Sequence, residues 1–132
     1  MSTDDHALIR AAMEVRGKAY CPYSGFSVGA ALVDEHGQVH TGCNVENAAY
    51  TLGSCAEAGA IAAMAAAGGK RIVTIAVAGG GEAISSCTPC GGCRQRINEF
   101  ADPKTRVLAV DDTGEWQSYS IAELLPASFH LP

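Results

Sequence analysis

Ser54-Cys55-Ala56-Glu57-Ala58-Gly59-Ala60-Ile61-Ala62-Ala63-Met64-Ala65-Ala66-Ala67-Gly68-Gly69, followed at once by Ile72-Val73-Thr74-Ile75-Ala76-Val77-Ala78, decides the fold. The first part is Ala-rich and ends in a Gly pair, so a helix is expected over about 55–67 with a Gly C-cap. It is apolar nearly all round, which predicts burial. The second part is a continuous, mostly β-branched run, the pattern of a central strand covered on both faces. A buried helix running into a buried strand points to an α/β sandwich with helices on both faces of one sheet.

Working outward, Thr3-Asp4-Asp5 can cap a first helix over about 5–19, with Leu8, Ile9, Ala12 and Met13 at helical spacing. Tyr20 to Gly25 breaks it. Phe26–Val33 reads as a strand, Glu35-His36-Gly37 as a hairpin turn, and Gln38–Cys43 as its partner. Asn44–Gly53 is a polar loop. Beyond the central strand, Gly79-Gly80-Gly81 reads as a flexible link. A third helix is expected from near Cys90 to about Phe100, then a strand over Arg106–Asp111 and an edge strand over Trp116–Tyr119. Ser120 caps a last helix, Ile121–Leu124, stopped by Pro126. With no repeat and no linker, residues 1–132 are expected to form a single domain.

Composition narrows the function. Of 132 residues, 48% are hydrophobic and 17% charged, which suits a globular chain. The net charge of −5 argues against a nucleic-acid partner, which wants a basic face, and leaves small-molecule substrates open. The N-terminus is polar and acidic rather than basic then apolar, and no apolar run reaches the roughly 18 residues of a membrane span. A cytoplasmic location without membrane contact is therefore expected. In that reducing compartment the six cysteines point to metal or catalysis rather than disulfides.

Three cysteines are placed as a metal trio would be: Cys55 just before a helix, and Cys90 and Cys93 as C-x-x-C after Pro89. Three protein ligands leave zinc a fourth position, the catalytic rather than the structural arrangement. Two readings compete. A closed structural site would recruit a fourth ligand from Cys21, Cys43, Cys87 or a His, with Cys87 the nearest. A redox pair would use C-x-x-C alone. Glu57 is the only charge in the run Cys55–Ala67. An acid in a first helical turn can merely complement the helix dipole. Beside an open metal position it can move protons.

Cys55-Ala56-Glu57 with Pro89-Cys90-Gly91-Gly92-Cys93-Arg94-Gln95 resembles the all-cysteine form of the zinc nucleobase deaminase signature. Further stretches resemble one branch, the small homotetrameric zinc-dependent cytidine deaminases. These are Tyr20-Cys21-Pro22-Tyr23-Ser24, Phe26-x-Val28-Gly29-Ala30-Ala31-Leu32, Gly42-Cys43-Asn44-Val45-Glu46-Asn47-Ala48-Ala49-Tyr50, and Glu123-Leu124-Leu125-Pro126-x-x-Phe129. The resemblance implies a three-layer α/β/α sandwich around one mixed, about five-stranded sheet. It implies hydrolytic deamination of cytidine and 2′-deoxycytidine in pyrimidine salvage, with one Zn²⁺ per chain on Cys55, Cys90 and Cys93. Glu57 would shuttle protons, and the Ala56 N–H would hold the base carbonyl. Phe26 would pack on the ring, and Asn44 and Glu46 would bind the ribose hydroxyls. Tyr50 would line the sugar pocket. Phe129 would reach a neighbouring subunit's site in a homotetramer.

Two departures stand out. The resemblance implies an Arg after the catalytic Glu to bond the thiolates, where this chain has Ala58. Two substitutes are expected to share that load: the N–H groups of the helices beginning near Cys55 and Cys90, and Arg94 just past Cys93, with Arg96 on a different helix face. Cys87-Thr88 also precedes Pro89 where the family often has Ile-Ser. A blasticidin-type aminonucleoside deaminase shares the core signature, but Phe26, Asn44 and Glu46 favour cytidine. A non-catalytic zinc-stabilised interaction module would have no use for Glu57.

Overall fold

The computed structural model describes residues 4–132. In chain order the elements are α1 (Asp5–Arg16), β1 (Ser27–Asp34), β2 (Val39–Cys43), a 3₁₀ turn (Tyr50–Leu52), α2 (Ala56–Ala66), β3 (Ile72–Gly80), β4 (Ile84–Ser85), α3 (Gly91–Glu99), β5 (Arg106–Val110), β6 (Trp116–Ser120) and α4 (Ile121–Leu124). The sheet is mixed, in the order β2-β1-β3-β5-β6, and β4 pairs with the end of β3. Only β3 and β5 run parallel. The sheet therefore has six strands rather than the expected five or so, the addition being the two-residue β4.

β3 is covered on both sides, as its β-branched run requires. Ile72, Ile75 and Val77 pack with Leu32, Ala60, Met64 and Ile97 under α2, α3 and α4. Ala76 and Ala78 face the other way, with Leu8, Ile9, Ala12, Ala31 and Leu108 under α1. The small side chains on this second face let α1 lie close against the sheet. On the first face, Gly42 of β2 does the same for α2. A Cβ there would collide with the Ala56 carbonyl and the Ala60 N–H. This contact holds the start of α2 against the end of β2, where the site forms.

The ends of the elements follow capping chemistry. Asp4 Oδ1 accepts the Ala7 N–H at 2.7 Å at the start of α1, while Thr3 lies outside the described residues. Ser120 and Glu123 form a reciprocal capping box on α4. α1 ends at Arg16 rather than near 19, because Lys18 and Ala19 bond three residues back in a tighter turn.

Two expectations are corrected. Gly79 and Gly80 are not a flexible link but the buried end of β3. Glycine is needed there by crowding: a Cβ at Gly79 would lie 2.8 Å from Cys87 Sγ and 3.1 Å from the Phe26 ring. Helix α2 is not buried all round. Ala56, Ala60, Ile61 and Met64 face the core, whereas Ala62, Ala63, Ala65 and Ala66 are exposed. An unbroken apolar sequence carries no phase, so it could not say which face the sheet covers. Among the described residues, no helix is long and apolar enough to cross a membrane.

Candidate metal and substrate site

The site begins with two helix starts brought side by side. Cys55 is the N-cap of α2 and Cys90 the N-cap of α3, both in extended backbone conformation. The free N–H groups and positive dipole ends of both helices face this spot and favour anionic sulfur. Cys93 follows in the first turn of α3 and is buried, Cys55 is half-buried and Cys90 exposed. The three sulfurs lie within 4.8 Å of one another, with Cys55 Sγ and Cys90 Sγ 3.9 Å apart. Two sulfurs sharing a tetrahedral zinc at about 2.3 Å would stand roughly 3.8 Å apart. Among the described residues, no fourth His, Cys, Asp or Glu joins this group. The donor set thus fits one zinc with an open position.

Burial pushes the Cys55 and Cys93 thiols up. Cys90 stays below its ordinary value: burial opposes this, but hydrogen bonds from the Cys93 backbone N–H and the neighbouring thiols outweigh it. A coordinated cation reverses the first effect, since a thiol bound to it is deprotonated outright. Cys87, the nearest rival for a closed site, stands apart. Its sulfur contacts the Thr88 carbonyl, and burial raises its thiol to about 11.

Glu57 lies in the first turn of α2 and is 3% exposed. Burial raises its carboxyl above the ordinary value, while its own N–H, the Cys93 thiol and the charge of Arg96 pull down without overcoming burial. A buried carboxyl whose charged form is disfavoured in this way is suited to accept a proton and hand it on.

A cleft of about 410 Å³ opens above this group. Cys55, Ala56, Glu57 and Cys90 line it together with Phe26, Asn44, Glu46 and Tyr50. The volume is within the range of small-molecule sites. Ala56 is the first residue of α2, so its N–H has no intrahelical acceptor.

The wall residues are pre-set. Asn44 Oδ1 accepts the Val28 N–H and its Nδ2 donates to the Phe26 carbonyl, both at 2.8 Å. This fixes the Asn44 amide and the Phe26 backbone together. Glu46 Oε1 accepts the N–H groups of Tyr23 (2.9 Å) and Ser24 (3.1 Å), and Oε2 accepts the Ser24 hydroxyl at 2.5 Å. The Ser24 hydroxyl, more than the backbone donors, holds this carboxyl below its usual range. The loop is tied at its ends too: Val45 exchanges both backbone bonds with Ser54, next to Cys55. The wall residues and the metal-side residues are therefore one connected unit.

Phe129 is the expected site residue that does not reach this cleft. It is 70% exposed, and its carbonyl accepts from Gln95 Nε2 at 3.1 Å. The expected role of Arg94 is corrected. Its Nε donates to the Pro89 carbonyl (2.8 Å), one Nη to the Leu124 carbonyl (2.9 Å) and the other to Thr88 Oγ1 (3.2 Å). It braces the P-C-G-G-C turn against α4 and touches no sulfur. The guanidinium that does touch one belongs to Arg96, whose Nη1 lies 3.6 Å from Cys93 Sγ. Sequence reasoning gave Ser24, Cys87 and Thr88 no place in a substrate cleft. Ser24 anchors Glu46, and the other two line the cleft.

The family model for the cytidine and deoxycytidylate deaminase zinc-binding region matches residues 2–109. The chain belongs to this family. A cytidine deaminase of Halalkalibacterium halodurans is 40% identical over 126 residues, covering 96% of this chain and 94% of its own length. Among solved structures, the cytidine deaminase of Burkholderia pseudomallei shares 44% identity at a TM-score of 0.88, with 96% of this chain and all of that one covered. That of Mycobacterium tuberculosis shares 35% at 0.83, covering 98% of this chain and all of its own. The mixed sheet with helices on both faces is the fold of these deaminases. Zinc is the family's metal, and the Cys55, Cys90 and Cys93 sulfurs are the group in this chain that fits it.

Proposed function

We propose that the chain, as one catalytic domain, deaminates cytidine and 2′-deoxycytidine to uridine and 2′-deoxyuridine with release of ammonia, serving pyrimidine salvage in the cytoplasm. The observation that carries this reading is the buried carboxyl of Glu57 on a substrate-sized cleft that Cys55 and Cys90, two of three convergent sulfur residues, also line. A structural metal site gains nothing from a buried acid next to an open coordination position. Family membership and the relatives named cytidine deaminase supply the reaction class.

Cys55, Cys90 and Cys93 would hold the zinc, which when bound supplies Lewis-acid activation of water. The chain's own residues do the rest. Glu57 takes a proton from the attacking water, delivers it to the pyrimidine ring, and transfers a further proton to the departing amine. Water and the nucleoside thus yield ammonia and the keto product with no net proton change. The Ala56 N–H donates to the base carbonyl and Phe26 packs against the ring. Asn44 and Glu46, held by the bonds described above, accept from and donate to the sugar hydroxyls as their chemistry allows, and Tyr50 borders the sugar. Pre-setting these groups lowers the ordering cost of binding.

Assembly as a homotetramer is part of the proposal. Tyr20, Tyr23, Tyr50, Leu52 and Phe129 are all more than half exposed, and α2 presents an exposed alanine face. Exposed large apolar side chains in this number favour a covering partner, and a second copy would bring Phe129 to a neighbour's cleft. The acidic balance gives no support to a nucleic-acid partner. The test is the fall in ultraviolet absorbance on adding purified protein to cytidine, with and without a chelator. Turnover that the chelator abolishes and added zinc restores is expected. Turnover unaffected by complete zinc removal, or none in the zinc-loaded protein, refutes the reading.

A further inference from the structure

Three thiolates around a divalent zinc leave one net negative charge, crowded into a partly buried centre. A positive charge against one of the sulfurs lowers the energy of that cluster. Position 58, next to Glu57, is an alanine and offers none. Arg94 spends its donors on Pro89, Leu124 and Thr88.

Arg96 has the right place. On α3 it follows Cys93 by three residues, the spacing that stacks side chains on one helix face. Its Nη1 donates toward Cys93 Sγ at 3.6 Å. Among the described residues it forms no salt bridge and no other side-chain hydrogen bond, and its charge also acts on the neighbouring Glu57 carboxyl. The turn before it leaves room: a Cβ at Gly92 would lie 3.2 Å from the same Nη1. A larger residue at 92 would push against the guanidinium.

We propose that Arg96 is the positioning residue that offsets the thiolate charge at the Cys55–Cys90–Cys93 centre and thereby sets how tightly the chain holds zinc. The inference rests on the metal-site reading of those cysteines and goes beyond it by assigning a role to a residue outside the ligand set. Outer-shell partners of metal ligands characteristically change metal affinity by about 10–100-fold when removed.

The experiment compares the zinc-loaded parent with Arg96→Gln and Arg96→Lys by competition against a chromogenic chelator, and compares thermal midpoints of the three proteins without zinc. Arg96→Gln keeps a polar side chain, though a shorter one, and loses the charge, and should bind zinc about 10–100-fold more weakly. Arg96→Lys keeps the charge without the planar fork and should fall between the two. The zinc-free midpoints should coincide. Zinc affinity of Arg96→Gln within about threefold of the parent, well under that range, overturns the proposal. So does equal weakening in the Gln and Lys variants, which would mean charge is not the cause. A zinc-free midpoint lowered in step with zinc affinity also overturns it, because Arg96 would then be a brace for α3. Cys93→Ser separates the two readings: if it keeps the parent's zinc affinity, the metal-site reading itself fails and this inference falls with it.

Discussion

Replacing Arg94 by Met should destabilise the fold without loosening the metal. The substitution retains an apolar stem and deletes the guanidinium. It strips the donor from two carbonyls, Pro89 at 2.8 Å and Leu124 at 2.9 Å, and from Thr88 Oγ1. Pro89 is fully buried and Leu124 nearly so. A hydrogen bond to a charged group contributes about 1.5–3 kcal/mol, and an orphaned buried acceptor costs about 1–3 kcal/mol. Arg94 is half-buried, so water will reach part of the gap, and a total of about 2–4 kcal/mol follows. For a chain of this length that corresponds to a fall of very roughly 10 °C in thermal midpoint. Circular dichroism melts of zinc-loaded and zinc-free protein give the readout. Both forms should fall by similar amounts, because the bonds lost join the turn at 88–89 to α4 rather than to a sulfur. An unchanged zinc-free melt with zinc affinity lowered at least about tenfold, the signature of a lost metal-site partner, would refute this brace.

Three other outcomes are expected. Glu46→Gln should lower kcat/KM for cytidine by about tenfold or more, as loss of a charged hydrogen bond does, while activity on free cytosine changes little; an equal loss on both counts against a sugar contact. Asp34→Ala removes the acceptor of the His36 and Gln38 N–H groups and of His40 Nε2, at 2.8–3.0 Å, from the buried end of the β1–β2 hairpin, and should cost about 2–4 kcal/mol in denaturant unfolding near pH 7. Burial opposes the ionisation of Asp34, but His40 and the two N–H groups outweigh it and hold its carboxyl below the ordinary value. Its contribution is therefore full above about pH 4 and lost as the pH falls through the lowered folded value, so parent and variant should converge in acid; a gap that widens in acid contradicts the assignment. Removal of residues 127–132 should lower activity more than zinc content, with activity and association lost together on dilution, and a fully active monomer in sedimentation would exclude a role for Phe129 in trans.

The layered fold was legible because its signals are local. The β-branched run at 72–78, the Gly pair closing α2, and the Ser120 cap each act within a few residues. The joint start of α2 and α3 at Cys55 and Cys90 was legible for the same reason. β4 was not, because two residues carry no periodicity and their pairing is dictated by the end of β3. Gly79 and Gly80 read as a link since glycine weakens strands. Their place in β3 comes from pairing with β1 and β4, with Gly79 crowded by Cys87 and Phe26 and Gly80 by residues 83–85. The two arginines teach the opposite lesson. Helical spacing from Cys93 already puts Arg96, not Arg94, on the cysteine's face. What the sequence could not show is that Arg94 finds its partner at Leu124, 30 residues away.

The central claim is that Glu57 moves the protons of a zinc-dependent deamination. Glu57→Gln keeps the volume of a buried side chain and removes its capacity to carry a proton. Initial rates on cytidine, measured together with zinc content per chain, test the claim most directly. The account predicts one zinc per chain and turnover reduced by several orders of magnitude, beyond the roughly 10²–10⁴ of general acid–base catalysis alone. A variant that retains zinc and turns cytidine over within about tenfold of the parent, far short of that loss, contradicts it.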